Sequence, residues 1–72
     1  MSKEFYISYK PLRHTMVDKN SNITQLCYDL SLSTSIRTKL INDSGNVSLA
    51  VIARICRHLN VPIEEVVEVE LD

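Results

Sequence analysis

The stretch from Asn22 to Asn42, NITQLCYDLSLSTSIRTKLIN, decides the fold. In its first half, apolar side chains recur at i, i+3, i+4 and i+7, which is the spacing of one face of an α-helix; they are Ile23, Leu26, Cys27 and Leu30. Asn22 precedes this stripe and Gln25 follows three residues later. That pair predicts a capping box, in which each side chain satisfies a free backbone N–H of the other residue.

The second half of the stretch predicts another helix after a turn of about four residues. Ser33 is a good N-cap, and Ile36 and Leu40 lie one helical turn apart. Six other positions are donors or acceptors without a carboxylate: Thr34, Ser35, Arg37, Thr38, Lys39 and Asn42. Two short helices with this connection form a helix-turn-helix, which presents its second helix to the major groove of DNA. Such a polar face suits a polyanion.

The flanking sequence predicts further helices between two terminal strands. Apolar residues alternate at both ends of the chain, in Phe5–Ile7–Tyr9 and in Val67–Val69–Leu71, and period two is typical of a half-buried strand. A first helix is expected from Pro11 to about Asn20, a fourth after the cap Ser48, and a last helical turn from Val61 to about Glu65. The fourth helix is expected to bury Leu49, Ile52, Ala53, Cys56 and Leu59.

The charge of the chain is strongly segregated. Residues 1–60 hold all eight basic groups and four acidic groups, a net of +4, whereas residues 61–72 hold five acidic groups and no base, a net of −5. Attraction to nucleic acid depends on the local field of a surface. The overall net charge of −1 therefore does not exclude DNA binding. The acidic segment is interpreted first as a solvated face, and second as a surface for a basic partner.

The two cysteines are expected to be buried thiols. Cys27 and Cys56 lie on the apolar stripes of separate predicted helices, and neither forms a tightly spaced zinc motif with His14 or His58. No Gly-rich phosphate loop, paired acid and base or nucleophile motif is present, so an enzyme is not expected. With no signal peptide or long apolar run, the sequence predicts one cytoplasmic domain spanning residues 1–72, without cofactor, metal, membrane segment or evident small-molecule ligand.

The chain resembles the Cro/cI-like (Xre-type) helix-turn-helix family, in particular small stand-alone bacterial regulators. The family pattern is leucine, a small residue, three variable residues, a small turn residue, an aliphatic residue and serine; here it is met by Leu26 to Ser33. The resemblance extends to Ile7–Leu12 and Asn46–Glu68. It implies a mostly α fold, a five-helix lambda-repressor-like DNA-binding bundle, here with a small two-stranded β-ribbon from the termini.

Two positions depart from the family pattern. Ser31 stands where the turn usually has glycine, so it must adopt a left-handed backbone or form a different turn. Arg37 stands where an aliphatic residue is common, so either the preceding Ile36 takes the core role or the helix is rotated.

Nine residues are the candidate DNA contacts. They line the start of the second helix and the length of the third, and they are Thr24, Gln25, Ser33, Thr34, Ser35, Arg37, Thr38, Lys39 and Asn42. For Thr24 and Gln25 the expected ligand is a phosphate, which the N-terminus of a helix favours. Arg37 is expected to bind guanine or to pair with Asp29 or Asp43.

The sequence therefore predicts a transcriptional regulator that binds a double-stranded DNA operator as a homodimer. Residues 33–42 would lie in the major groove, and the open edge of the terminal strands is the candidate dimer contact. The alternative is a protein-interaction module, such as a partner regulator or an antitoxin-like protein, in which the same bundle binds another protein and DNA contact is secondary.

Overall fold

The computed structural model describes residues 5–71 and shows a small, mostly helical domain with a terminal ribbon. Its elements are β1 (Phe5–Ser8), α1 (Lys10–Asp18), α2 (Ile23–Leu30), α3 (Thr34–Asn42), α4 (Leu49–Leu59), a 3-10 helix (Ile63–Glu65) and β2 (Glu68–Leu71). Lys3, Glu4 and Asp72, which contribute to the charge balance, lie outside the described residues. None of the helices within residues 5–71 is long and apolar enough to cross a membrane.

Each of the four α-helices is followed, within two residues of its end, by a non-glycine residue with a left-handed backbone. These residues are Asn20, Ser31, Asp43 and Asn60, with φ between 55° and 57°. After α2, Ser31 N–H donates to the Tyr28 carbonyl and Leu32 N–H donates to the Cys27 carbonyl at 2.8 Å. This is the Schellman pattern, which satisfies the last carbonyls of a helix. Of the two alternatives expected for Ser31, a left-handed backbone or a different turn, the structure has the left-handed backbone.

The core lies where the four helices and the base of the ribbon meet. Its fully buried members come from every part of the chain: Tyr9, Leu12, Leu26, Leu40, Ile55 and Val66. Ile36 packs against this core, so it takes the role that the family usually gives to the next position. Arg37 is half-buried beside it.

Two predictions about the helices are wrong. Five helices were expected, but residues 5–71 contain four α-helices, because the fifth segment is only the three-residue 3-10 helix. The helical turn ends after Glu65 because the next residue, Val66, is buried in the core. There the Val66 carbonyl accepts a hydrogen bond from Leu12 N–H at 3.2 Å. In α4 the buried stripe is rotated relative to the expected one. Ile55 is fully buried, whereas Leu49 is 72% exposed and Ala53 is exposed.

The expected pairing of the terminal strands is confirmed. β1 and β2 form an antiparallel ribbon in which Phe5 faces Leu71 and Ile7 faces Val69. Tyr9, expected at the end of the strand, instead precedes α1 and is buried. Glu68 and Glu70 lie on the other face of the ribbon from these apolar pairs, and their proximity raises the pKa of Glu68 above its ordinary value.

Candidate nucleic-acid interface

The start of α2 presents Thr24 and Gln25 to solvent. The Asn22 side chain caps this helix by accepting from Gln25 N–H at 2.8 Å. The reciprocal half of the expected capping box is absent, because the Gln25 amide instead donates to Asp29 at 2.8 Å. Gln25 therefore remains exposed at the helix start, where free N–H groups and the helix dipole attract an anion.

The turn between α2 and α3 fixes where the third helix begins. The Ser33 hydroxyl accepts from Ile36 N–H at 3.2 Å, which makes Ser33 the N-cap of α3. Ser33, Thr34 and Ser35 are all exposed, so the first turn of α3 projects short polar side chains into solvent. Short hydroxyl side chains at this position allow a helix to approach base edges closely.

Farther along α3, the polar side chains have intramolecular partners as well. The Thr38 hydroxyl donates to the Thr34 carbonyl at 3.1 Å, and Asn42 is exposed at the last turn. The Lys39 amine donates to the Asn46 carbonyl at 3.4 Å, with its methylene stem over Gly45. A Cβ at Gly45 would lie 3.3 Å from Lys39 Cε, so the absence of a side chain there lets the lysine fold against the loop.

Arg37 is the half-buried cation of this surface. Neither expected carboxylate pairs with it: Asp43 pairs with Arg13, and Asp29 lies 3.9 Å from His58 Nε2. No ion pair to Arg37 occurs within residues 5–71. Desolvation raises the pKa of the nearby Cys27 thiol, and the positive charge of Arg37 acts in the opposite direction. The guanidinium is thus available to an external anion.

A clamp that the sequence did not reveal holds the C-terminal end of α3. The Asp43 carboxylate accepts two hydrogen bonds from the Arg13 guanidinium at 3.0 and 3.1 Å, and one from Tyr9 N–H at 2.7 Å. The Ser8 hydroxyl donates to the same carboxylate at 3.3 Å, and Arg13 also donates to the Leu40 carbonyl at 2.8 Å. The Arg13 hydrogen bond, followed by smaller contributions from the other partners, holds the pKa of Asp43 below its ordinary value.

The clamp continues into the loop between α3 and α4. The phenol of the buried Tyr9 donates to the Gly45 carbonyl at 3.1 Å and accepts from Val47 N–H at 2.8 Å. Asp43 and Tyr9 together therefore fix α3 and its loop to β1 and α1. The only sequence signal for Asp43 was its position in a turn-forming segment, and its partner Arg13 is 30 residues away along the chain.

Comparison with known proteins identifies this arrangement. A family model of the Cro/C1-type HTH DNA-binding domain matches residues 11–72. The chain belongs to the Cro/C1-type helix-turn-helix family. This is a family of DNA-binding regulators rather than of enzymes, and the resemblance noted in the sequence is thereby confirmed.

A solved relative shares the whole architecture of this Cro/C1-type domain. The chain is similar to the crystal structure of the transcriptional regulator VanUg, form II, with a TM-score of 0.88 and 27% sequence identity. The match covers 99% of this chain and 93% of that one. No curated protein sequence matches the chain.

The described residues contain no group of three or more histidine, cysteine, aspartate and glutamate side chains arranged to hold a metal ion. Both cysteines are free thiols; Cys27 is buried and Cys56 is half-buried. Burial raises the pKa of each thiol. The α2–α3 surface itself offers hydrogen-bonding side chains and the Arg37 cation, which are groups that take part in the recognition of nucleic acids.

Proposed function

We propose that this protein is a transcriptional regulator that recognises a specific sequence in duplex DNA by placing α3 in the major groove. The observation that carries the proposal is the shared surface of α2 and α3, where exposed Thr24, Gln25, Thr34 and Ser35 stand beside Arg37. That surface combines short polar side chains with a cation that has no carboxylate partner within residues 5–71. Direct readout of bases requires such groups.

The proposed contacts divide by their place on the motif. Thr24 and Gln25 at the start of α2 bind a phosphate, and Ser33 stabilises α3 as its N-cap while it faces the same groove. Thr34 and Ser35 reach base edges, because they lie on the first turn of α3. Arg37, one turn later and beside α2, bridges a base edge and the neighbouring phosphate. Thr38, Lys39 and Asn42 lie toward the C-terminal end of α3. At this end the helix approaches the sugar-phosphate backbone, which these three side chains contact.

The direct test is selection of binding sites from a randomised duplex library, followed by affinity measurement by fluorescence anisotropy. We expect one sequence motif to be enriched and to bind at least about 10³-fold more tightly than a scrambled duplex. Recovery of no motif, with equal affinity for every duplex, would refute sequence-specific recognition. An Asn42→Ala variant that enriches an altered motif would identify this residue as a base contact, and an unchanged motif would assign it to the backbone.

We also propose that the regulator acts as a homodimer through the apolar face of the ribbon. Phe5, Val69 and Leu71 are 53%, 60% and 79% exposed, although Phe5 pairs with Leu71, and Val69 with Ile7, across the ribbon. A second copy packed on this face would remove these side chains from water and present two α3 helices to half-sites about 34 Å apart. The motif from the selection should therefore be an inverted repeat.

Sedimentation of a Val69→Lys/Leu71→Lys double variant tests the dimer. We expect this variant to be a folded monomer with weaker DNA binding, because two charges would be placed on the proposed contact. Val17→Lys is the matched control, since Val17 is 72% exposed at the far end of α1. A double variant that sediments as a dimer would eliminate the ribbon face as the interface.

A further inference from the structure

Tyr28 is the exposed aromatic residue of α2. Its side chain is 80% exposed, more than any other large apolar or aromatic residue in the described part of the chain. It lies one helical turn after Thr24, on the same side of the helix. Tyrosine combines an apolar body with a hydroxyl that can form a hydrogen bond at an interface.

The surroundings of Tyr28 point to that interface. A groove of about 210 Å³ runs between α2 and α3, with Tyr28 and Thr24 on one wall. Ser33, Thr34 and Arg37 line the opposite wall, and Cys27 and Leu32 complete the lining. Four of the seven lining residues are proposed DNA contacts, so Tyr28 lies inside the proposed interface rather than beside it.

The charge and position of the groove indicate which part of DNA enters it. Arg37 supplies a positive charge with no carboxylate partner within residues 5–71. In a helix-turn-helix, the first helix crosses the sugar-phosphate backbone while the second enters the groove. Tyr28 belongs to α2, which is the first helix of the helix-turn-helix motif. A backbone phosphate is therefore the group of DNA within reach of its hydroxyl.

We propose that Tyr28 is a DNA-backbone contact, whose hydroxyl donates a hydrogen bond to a phosphate oxygen seated between α2 and Arg37. This inference rests on the proposed function and adds a neutral contact to it. The phenol orients the backbone against α2, and Arg37 balances the phosphate charge. A neutral phosphate contact affects all DNA sequences alike and releases no additional counterion.

The test compares Tyr28→Phe with the parent on two duplexes, the selected site and a scrambled duplex, across a series of salt concentrations. We expect affinity for both duplexes to fall by the same factor, at least about tenfold, because one hydrogen bond to a charged group is lost. The slope of log affinity against log salt should not change. Arg37→Gln, which removes a charge, should make that slope shallower by about one.

Tyr6→Phe is the matched control, since Tyr6 is 44% exposed on the ribbon and loses the same hydroxyl. Its DNA affinity should equal that of the parent. Undiminished affinity of Tyr28→Phe would overturn the inference while leaving the proposed function standing, and so would a loss confined to the selected site. Failure of the parent protein to bind either duplex would overturn both.

Discussion

Replacing Asp43 by asparagine should show how much the clamp between α1 and α3 contributes to stability. The carboxylate accepts a two-pronged hydrogen bond from Arg13, and the side chains of Arg13 and Asp43 are only 31% and 23% exposed. Asparagine can still accept from Tyr9 N–H and tolerates the left-handed backbone. It loses the charge and places amide hydrogens opposite the guanidinium. For a pair of intermediate burial we expect a loss of about 2 kcal/mol at neutral pH, which lowers Tm by roughly 10 °C.

The loss should depend on pH in a defined direction. Arg13 holds the pKa of Asp43 in the folded protein below its ordinary value of 3.8, so protonation costs the folded state more than the unfolded state. The stability from this group is present above pH 3.8 and disappears as the pH falls through the lowered pKa.

Urea unfolding followed by circular dichroism, at a series of pH values from about 7 to about 2, provides the measurement. The difference between parent and Asp43→Asn should be largest at neutral pH and should shrink toward zero in acid. Asp18→Asn is the control, because Asp18 is an exposed carboxylate at the end of α1; its effect should stay below about 0.5 kcal/mol. Equal stability of parent and Asp43→Asn at neutral pH would refute the reasoning, as would a difference that persists unchanged in acid.

Three further substitutions or probes test other parts of the account. Ser31→Gly should stabilise the fold by about 0.5–1 kcal/mol in the same unfolding assay, because φ at Ser31 is 56°; a destabilised variant would show that the hydroxyl matters more than the backbone. Lys39→Ala should weaken binding to the selected duplex by about 1–3 kcal/mol with little change in stability; equal affinity would mean that the bond to Asn46 is its only role. Cys27 should react with a thiol reagent far more slowly in the native protein than in urea, and more slowly than the half-buried Cys56; rapid native labelling of Cys27 would contradict its burial.

The sequence predicted those features of the fold that depend on local spacing. The stripe from Ile23 to Leu30, the caps Asn22, Ser33 and Ser48 and the alternating termini each indicate an element, and the structure contains all of them. The stripe of α4 was misplaced because apolar residues flank Ile52 on both sides of the helix, with Leu49 and Ala53 on one side and Val51 and Ile55 on the other. Periodicity alone therefore does not define the centre of the stripe. Only packing within the core cluster, which also contains Leu12 and Val66, selects Ile55 as the buried position.

The candidate site likewise has features that the sequence could predict and features that it could not. Exposure of Thr24, Thr34 and Ser35 follows from helical periodicity and was predictable. The clamp was not, because Arg13 and Asp43 meet only through the packing of α1 against the end of α3, and an isolated arginine and aspartate carry no pairing signal. Tyr28 was not among the candidate contacts, because it lies outside the apolar stripe of α2 and at a variable position of the family pattern, and neither place indicates a DNA contact.

Mapping the DNA complex by NMR tests the central claim, recognition of duplex DNA by α3, most directly. The ¹⁵N-labelled protein would be titrated with the selected duplex, and backbone amide shifts would be compared between free and bound states. The account predicts that the largest shifts occur at Thr24 and Gln25 and along residues 33–42, with α1 and the outer face of α4 almost unchanged. Shifts concentrated on Arg54 and Arg57 of α4, with α3 unaffected, would contradict it.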